Sequence, residues 1–356
     1  MIRKKRLFPR ITHRFLMLIA AGLLLLSYLS AVVDPAKAWY MSVFGLLFIP
    51  LMLLNLGLLV WAVLRRSKSF IFPLIALIPS ILTAGWYLRL PTKSSTEDGV
   101  TFLSYNVGQF NMSDRDSGIE GQLSCEDSVC AFVNGSGADI ICLQEFFVSN
   151  DNDIHEELGR RFPDYYSEYY MASGSDGYYG NVTLSRYPIV NKGKFNFRNS
   201  ANLAIFSDCM VEGDTVRIYN CHFESYNISL TRLAKSLGND KTIVRETETK
   251  AKNSITRRPK QVDEVLSHIR GCELKAFVAG DFNDNPLSYT YFRLRKGRKD
   301  TFTEKGSGFG ATYSVLRPFL RIDYILFPPE YSALSHKVLH KPYSDHYPII
   351  ANIKTN

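Results

Sequence analysis

Long hydrophobic runs occupy the first 90 residues of this chain of 356 residues, and only short ones occupy the rest. Three of the long runs contain no charged residue: Phe15–Val33, Ala38–Leu64 and Phe70–Leu88. A helix needs about 20 apolar residues to cross the hydrocarbon core of a bilayer, so each run is long enough. The pattern predicts a membrane anchor over residues 1–90 with three transmembrane helices at these positions.

Basic residues flank the three runs unevenly. The leader and the loop between the second and third runs carry Arg3, Lys4, Lys5, Arg6, Arg10, Arg14, Arg65, Arg66 and Lys68. The loop between the first and second runs offers only Asp34 and Lys37. Cytoplasmic loops are enriched in Lys and Arg, so we expect a cytoplasmic N-terminus and a periplasmic or otherwise extracytoplasmic chain after residue 90. Cleavage of the first run as a signal peptide near Ala36-Lys37-Ala38 is an alternative, and it places the chain after residue 90 on the same side of the membrane.

Beyond a polar linker at residues 91–99, the pattern changes to short apolar runs bounded by Gly, Asn, Asp and Pro. Eight runs predict strands: Val100–Tyr105, Ile140–Leu143, Val182–Leu184, Leu203–Cys209, Thr215–Cys221, Ala276–Ala279, Ile322–Phe327 and Ile349–Ile353. Helical periodicity appears in Val129–Asn134, Ile154–Arg161 and Lys260–Arg270. Strands outnumber helices, so residues 100–356 are predicted to form an α/β domain of two packed sheets with helices outside. The polar stretch Asn227–Arg258 is interpreted as a long surface loop or insertion.

The net charge of +8 belongs to the predicted anchor. Residues 1–95 hold 12 of the 42 basic residues and one of the 34 acidic ones, so the remainder carries 30 and 33. A soluble domain near neutrality gives no charge argument for a nucleic-acid partner. The six cysteines are too few for a disulfide scaffold. Cys125 and Cys130 are close in sequence, and a disulfide between them is an open alternative.

Polar side chains recur where the predicted strands end or begin. They are Asn106, Glu145, His222, Asp281, Asn283, Asp323, Asp345 and His346. Strand ends cluster at one edge of a sandwich, so these side chains can converge on one pocket. Taken singly, each has another interpretation: Asp281–Pro286 is also typical of a turn. Asp323 is harder to dismiss, because an acidic residue within an apolar strand must be paired or neutralised.

Seven strings in order resemble the endonuclease/exonuclease/phosphatase superfamily, which includes pancreatic-type deoxyribonucleases, apurinic endonucleases, neutral sphingomyelinases and inositol polyphosphate 5-phosphatases. The strings are S-Y-N (104–106), L-Q-E (143–145), G-N-V-T-L-S-R-Y-P-I (180–189), Y-N-C-H-F (219–223), G-D-F-N (280–283), R-I-D-Y-I-L (321–326) and S-D-H-Y-P-I (344–349). The resemblance covers about residues 100–354. It implies a four-layer α/β/β/α sandwich and divalent-metal-dependent hydrolysis of phosphoesters.

The resemblance also implies roles for the strand-end residues. Glu145, Asn106 and Asp345 would hold Mg²⁺ or Mn²⁺, as one or two ions, because such hard cations prefer carboxylate and amide oxygens. The ion would polarise the phosphoryl oxygen and stabilise the leaving group. Three residues in or next to the string at 180–189 would contact the substrate: Tyr179, Asn181 and Arg186.

The remaining positions correspond to the proton-transfer groups of the family. Asp281 would orient or deprotonate the attacking water, and Asn283 would donate to the phosphoryl oxygens. His346 would stabilise the pentacovalent phosphorus as a proton donor, with Asp323 as its orienting carboxylate. His222 resembles the second histidine of the deoxyribonuclease and sphingomyelinase branches, a candidate acid for the leaving group.

The motifs do not select one phosphoester substrate. Two basic clusters can line a groove for a nucleic-acid backbone, and a nuclease-like substrate is slightly favoured. The clusters are Arg293, Arg295, Lys296, Arg298 and Lys299, and Arg257, Arg258 and Lys260. A lipid phosphodiesterase of sphingomyelinase type is the alternative, because the anchor concentrates the enzyme at a bilayer. An inactive, tethered binding protein is a third possibility, against which the intact motif set argues. The expected partners are the phosphoester substrate and the bilayer, and no obligate protein partner is evident.

Overall fold

The computed structural model describes residues 7–92, 95, 97–110, 124–198, 200–226, 241–315 and 317–355. The chain folds into two compact units. The helical unit comprises Met1–Tyr87, Ile228–Pro259 and Asn285–Phe292. The sandwich unit comprises Leu88–Asn227, Lys260–Asp284 and Arg293–Asn356. Two segments far along the chain thus join the N-terminal helices, which the hydrophobic pattern does not predict.

The helical unit is built on apolar helices that match the predicted runs. They are α1 (Leu7–Leu29), α2 (Tyr40–Leu46), α3 (Phe48–Leu64) and α4 (Ile71–Tyr87). Their buried polar side chains are bonded to neighbouring helices: Asn55 Nδ2 donates to the Ala20 carbonyl at 2.9 Å, and the Tyr28 hydroxyl bonds Ser80 Oγ. Such bonds hold helices together where apolar side chains face outward.

Only part of this unit meets the length requirement for crossing a bilayer. Among the described residues, one helix, Lys68–Tyr87, is long and apolar enough. The pair Tyr40–Leu46 and Phe48–Leu64, bent by 60°, gives a second if it is one span. His13–Leu29 is a shorter apolar helix. The three crossings predicted from the sequence therefore stay a prediction.

The sandwich unit contains two mixed six-stranded sheets, with orders β11-β12-β1-β2-β4-β3 and β5-β6-β7-β8-β10-β9. The first has β1 (Val100–Asn106), β2 (Ile140–Ser149), β3 (Tyr166–Ser173), β4 (Gly177–Ser185), β11 (Ser332–Val338) and β12 (Ile349–Lys354). The second has β5 (Ile189–Asn196), β6 (Leu203–Val211), β7 (Asp214–His222), β8 (Lys275–Asp281), β9 (Lys299–Asp300) and β10 (Asp323–Phe327). All eight predicted strands are present. The sequence missed the short β9, and it missed β3, β5 and β11, whose partly exposed positions break the apolar run.

Helices cover the outer face of each sheet, so the predicted α/β layering is found. Between the sheets, Phe102 stacks on Phe277 with ring centroids 4.6 Å apart. On the outside of the first sheet lie α5 (Cys125–Gly135) and α6 (Ile154–Arg161). On the second sheet, His268 of α7 (Lys241–Arg270) packs against Phe206. Two short helices follow α7 along the chain: α8 (Tyr289–Arg295) and α9 (Thr301–Lys305). Cys125 and Cys130 are free thiols on α5.

The predicted loop over Asn227–Arg258 is wrong where the structure describes it. Residues 241–258 belong to α7, and 227–240 lie outside the described residues. Buried positions in this stretch recur at Ala251, Ser254, Ile255 and Arg258, a helical spacing. Two of the four are polar, so the spacing is hidden when only apolar residues are counted.

Candidate active site

Strand register brings the predicted polar residues to one edge of the sandwich. Asp281, the last residue of β8, pairs with His222 at the end of β7 and with Asp323 at the start of β10. In the other sheet, Asn106 at the end of β1 pairs with Gln144, immediately before Glu145. Parallel neighbours end at the same edge, which explains why residues so distant in sequence meet here.

The backbone at this edge is strained. Glu145 and Asn283 both have φ of +53°, in the left-handed region that costs a residue with a side chain about 1–3 kcal/mol. Gly280 has φ of +131°, and a Cβ there would overlap the Cys221 carbonyl oxygen, so only glycine fits. Strain of this kind persists only where surrounding contacts determine the conformation, which is typical of functional sites.

His346 and Asp323 form a buried pair. Nδ1 of His346 lies 3.0 Å from Asp323 Oδ2 and 3.2 Å from Oδ1. Burial lowers the pKa of His346, but the Asp323 and Asp281 carboxylates outweigh it and raise that pKa to about 10. The backbone N–H of Asp323 donates to Thr312 Oγ1 at 3.1 Å, and the Tyr313 ring lies 5.2 Å from that of His346. The imidazole is therefore held protonated and fixed in orientation.

Asp281 is the buried carboxylate at the centre of the cluster. Burial, together with the Asp323 charge, outweighs the nearby histidines and raises the pKa of Asp281 to about 6. Its Oδ1 accepts from the Asn283 backbone N–H at 2.8 Å, and its Oδ2 accepts from Asn106 Nδ2 at 3.0 Å. The same Oδ2 lies 3.7 Å from Nε2 of His346. A carboxyl with this pKa is suited to accepting a proton near neutral pH.

Asn283 acts on Asp281 in this structure. Its side-chain amide donates to Asp281 Oδ2 at 3.1 Å and to the Phe223 carbonyl at 2.9 Å. Both amide hydrogens are thus engaged within the protein, whereas the resemblance assigns them to phosphoryl oxygens. The observed geometry makes Asn283 an orienting group for Asp281.

His222 and Glu145 complete the cluster on its open side. Nε2 of His222 lies 3.6 Å from Glu145 Oε1 and 3.7 Å from Asp281 Oδ2. The Glu145 side chain is 29% exposed, while that of Asp281 is 1% exposed. The cluster thus presents an accessible carboxylate and an imidazole in front of a buried carboxylate.

Two sets of residues offer oxygen or nitrogen ligands to a cation. Ligand atoms of Asp281, Asp323 and His346 lie within 4.8 Å of one another. His346, however, is protonated and already bonded to Asp323, and a metal ligand must be a neutral imidazole. Glu145 Oε1 accepts from Asn106 Nδ2 at 3.1 Å, and Asn106 Oδ1 accepts from the Gly108 backbone N–H at 3.0 Å. A carboxylate and an amide oxygen are the ligand types that Mg²⁺ prefers. These residue types fit a divalent cation, and its assignment to Glu145, Asn106 and Asp345 stays a prediction.

Asp345, the third predicted ligand, is half-buried beside this pair. Its Oδ1 lies 3.4 Å from Ser344 Oγ, which itself donates to the Asn106 carbonyl at 2.8 Å. Ser344 thus lies between the Asp345 carboxylate and the Asn106 backbone. Sequence reasoning did not single out Ser344, Thr312 or Tyr313, because none of them is a residue type that marks a site by itself.

The structure separates the three predicted substrate contacts. Arg186 lies at the end of β4 next to Asp139, at the opposite end of β2 from Glu145, so its assignment to the substrate is corrected. Asn181 is fully buried and donates across to the other sheet, to the Asn220 carbonyl at 3.0 Å. Tyr179 is half-buried and pairs with Phe147, at the same end of β2 as Glu145. Tyr179 alone of the three remains a candidate for substrate contact.

The sandwich unit matches a known protein family. Residues 103–346 match the family model described as Endonuclease/Exonuclease/phosphatase family. The chain belongs to this family. Its members are phosphoester hydrolases, so the sandwich unit is a hydrolase domain. Residues 5–85 match a domain of unknown function (DUF8431). The search of curated proteins gives no match.

Several solved structures have a similar sandwich fold. A protein from Bacteroides vulgatus has 18% identity and a TM-score of 0.53, over 73% of this chain and 100% of its own. The human Nocturnin catalytic domain with bound sulfate has 15% identity and a TM-score of 0.52, over 74% and 95%. D. rerio TDP2 with a single-strand DNA product has 17% identity and a TM-score of 0.50, over 73% and 100%. At such identities the likeness establishes the fold alone.

Proposed function

We propose that this chain is a divalent-metal-dependent phosphodiesterase whose substrate is a lipid headgroup at a membrane surface. The observation that carries the catalytic part is the position of one buried carboxylate, Asp281, 3.7 Å from each of two imidazoles, His346 and His222. A base and two potential proton donors within reach of one point are what hydrolysis of a phosphodiester requires.

The side chains divide the proton transfers among them. Asp281 accepts a proton from the attacking water, and Asn283 and Asn106 hold its two oxygens in place. His346 donates to the phosphoryl oxygens, where negative charge grows as phosphorus becomes five-coordinate. Asp323 keeps His346 protonated and oriented. His222, on the open side, protonates the leaving oxygen.

Glu145, Asn106 and Asp345 would hold the divalent cation. When bound, a cation such as Mg²⁺ or Mn²⁺ neutralises the phosphate charge and stabilises the leaving oxygen. The cluster has four carboxylates, those of Glu145, Asp281, Asp323 and Asp345, and this excess of negative charge favours a cation at its open side.

A lipid substrate is supported by the segment that borders His346. Ser314 donates its backbone N–H to the Asp345 carbonyl at 2.8 Å, so this segment lies against the site. Three large apolar side chains on it are exposed: Phe309, Val315 and Phe319. Exposed apolar groups around a polar cluster suit a phosphodiester that carries acyl chains.

The basic clusters that favour a nuclease give less support than the sequence suggested. Lys299 pairs with Phe327, at the far end of β10 from Asp323, about 13 Å along a strand of this rise. Arg293 is paired with Asp263 at 2.6 Å, and Arg258 is buried. A nucleic-acid substrate is the second candidate, since TDP2 was solved with a single-strand DNA product on the same fold.

The proposed setting is an extracytoplasmic membrane surface. The charge-free runs and the basic flanks support three spans with the hydrolase domain outside the cytoplasm. Large apolar side chains are exposed on the helical unit, among them Leu64, Ile81 and Leu82 at 76–82%. Apolar surface of this extent is typical of lipid contact.

A substrate panel tests the function. Full-length protein in detergent would be assayed on bis(4-nitrophenyl) phosphate, sphingomyelin in mixed micelles, single-stranded and plasmid DNA, RNA and inositol phosphates, each with Mg²⁺ and with EDTA. We expect metal-dependent cleavage of the chromogenic diester and preference for the lipid. Preference for DNA or RNA would overturn the lipid assignment, and turnover in EDTA would overturn the mechanism. A reporter fused after Asn356 that is active only in the cytoplasm would contradict the orientation.

A further inference from the structure

The loop that carries Asp281 and Asn283 runs directly into the helical unit. Asp281–Asp284 belong to the sandwich, whereas Asn285–Phe292 are grouped with the N-terminal helices. The chain thus passes from the central carboxylate of the site to a residue of the helical unit within four positions. A loop this short limits how far its two ends can move independently, because each residue spans at most about 3.6 Å.

Within the helical unit, Asn285–Leu287 is held by specific hydrogen bonds. Asn285 Nδ2 donates to the Gly45 carbonyl at 3.0 Å. The Tyr87 hydroxyl donates to Asn285 Oδ1 at 3.4 Å and accepts from the Leu287 backbone N–H at 3.1 Å. Ser30 Oγ donates to the Leu287 carbonyl at 2.5 Å. Residues within or directly after α1, α2 and α4 therefore each contact this segment.

These contacts are buried and close-packed. Exposure is 1% for Ser30, 8% for Tyr87, 3% for Asn285 and 2% for Leu287. A Cβ on Gly45 would lie 2.6 Å from Ser30 Cβ and 2.9 Å from the Leu287 carbonyl oxygen, so α2 packs against both Ser30 and the segment with no room for a side chain. Buried polar groups are costly unless bonded, and bonded ones specify a single arrangement. The segment is therefore fixed in position as well as attached.

The other side of the loop is fixed within the sandwich. The Asp284 carboxylate accepts from the Tyr226 hydroxyl at 2.9 Å, and the backbone carbonyl of Asp284 accepts from the Tyr324 hydroxyl at 2.8 Å. Asn283, next to this point, has the strained φ of +53°. A strained residue is kept in place only when contacts on both sides determine its conformation.

We propose that the helical unit, the part that matches a domain of unknown function, positions the catalytic loop through Asn285–Leu287, with Tyr87 and Gly45 as positioning residues. This proposal rests on the hydrolase function given above. Loss of either contact lets the loop relax, so Asp281 and Asn283 shift from the geometry that orients the attacking water. Substrate binding depends on other groups and changes little.

Two substitutions in the full-length protein test this, each with a matched control in the same unit. Tyr87→Phe removes one hydroxyl from the segment, and Tyr28→Phe removes a hydroxyl that bonds Ser80 within the helices. Gly45→Ala adds a methyl against Ser30 and Leu287, and Gly57→Ala adds one where no atom lies within 4 Å. All four would be purified in detergent and compared with the wild type for kcat, KM and thermal midpoint.

We expect Tyr87→Phe and Gly45→Ala to lower kcat on bis(4-nitrophenyl) phosphate roughly tenfold with KM within twofold, because misplacement of reacting groups affects the chemical step. Tyr28→Phe and Gly57→Ala should keep wild-type kcat. Hydrogen exchange in a peptide covering residues 281–292 should be faster in the first pair only. This exchange measurement needs no substrate, so it separates failure of this proposal from failure of the hydrolase function. Exchange in Tyr87→Phe and Gly45→Ala equal to that in their controls would overturn the proposal, as would equal kcat.

Discussion

Nδ1 of His346 lies 3.0 Å from Oδ2 of Asp323, and both side chains are almost fully buried. The two residues are 23 positions apart: Asp323 begins β10 in one sheet, and His346 lies just before β12 in the other. Their contact therefore joins the two sheets at the site. It also holds the proton on His346, since Asp323 is the largest influence raising the pKa of this histidine against burial.

Replacing Asp323 by Asn should lower the pKa of His346, because the carboxylate that favours the imidazolium is lost. The alkaline limb of kcat/KM should move from near pH 10 to lower pH, and kcat should fall about 10²-fold or more. A pH series of initial rates on the chromogenic diester measures both. An alkaline limb in Asp323→Asn that coincides with the wild-type limb would contradict the assignment of His346 as the acid.

Asp281 should define the acid limb. Its pKa of about 6 means that the proton-accepting form is lost below that pH, so kcat/KM should fall with unit slope as pH decreases through about 6. Asp281→Ala should abolish turnover while the protein stays folded. Asp208→Asn is the matched control: it alters another buried carboxylate, paired with Arg217 on β7, and should affect the thermal midpoint and leave kcat near wild type. Appreciable turnover by Asp281→Ala would exclude Asp281 as the base.

Metal removal should stop the reaction. EDTA should abolish activity, and Mg²⁺ or Mn²⁺ should restore it. Glu145→Gln should raise the metal concentration for half-maximal activity at least about tenfold, because one charged ligand is lost. Glu157→Gln on α6, where the Glu157 carboxylate pairs with Arg160, is the control. It should need the same metal concentration for half-maximal activity as the wild type. Equal metal titrations for Glu145→Gln and the wild type would move the cation to another set of residues.

His336 should make the sandwich sensitive to acid. Burial lowers its pKa from 6.5 to about 4, although the Asp300 carboxylate opposes this shift, and Nδ1 bonds Thr301 Oγ1 at 2.9 Å. The unfolded chain takes up a proton below pH 6.5 while the folded protein does not until about pH 4. The neutral His336 therefore favours the folded state fully above pH 6.5. The free energy of unfolding decreases by roughly 3 kcal/mol in all as the pH falls from 6.5 to about 4.

The thermal midpoint of the full chain at pH 7.5 and 5.5 checks this. His336→Gln should be less stable at pH 7.5 and should lose less stability than the wild type between the two values. His155→Gln changes an exposed histidine on α6 and should retain the wild-type difference. A wild-type midpoint that is constant between pH 7.5 and 5.5 would rule out His336 as the cause of acid sensitivity.

Much of the fold and the site was predictable from the sequence because it depends on local patterns. Apolar runs of strand length located eight strands, and polar residues at their ends named the carboxylates and imidazoles that meet around Asp281, although not Ser344, Thr312 or Tyr313. Edge strands such as β5 were missed because one face is open to solvent, so they carry no continuous apolar run. Helix α7 was missed over residues 241–258 because half of its buried positions there are polar.

The sequence by itself determined which residue types stand at the strand ends, since this follows from alternation along a few neighbouring positions. Only the tertiary structure decided how they are used. Asn283 turns inward to Asp281, and Arg186 lies at the opposite end of its sheet from Glu145. The bond from Ser30 to Leu287 joins residues 257 positions apart. Such contacts are selected by the packing of whole elements against one another, and a window of neighbouring residues does not contain that information.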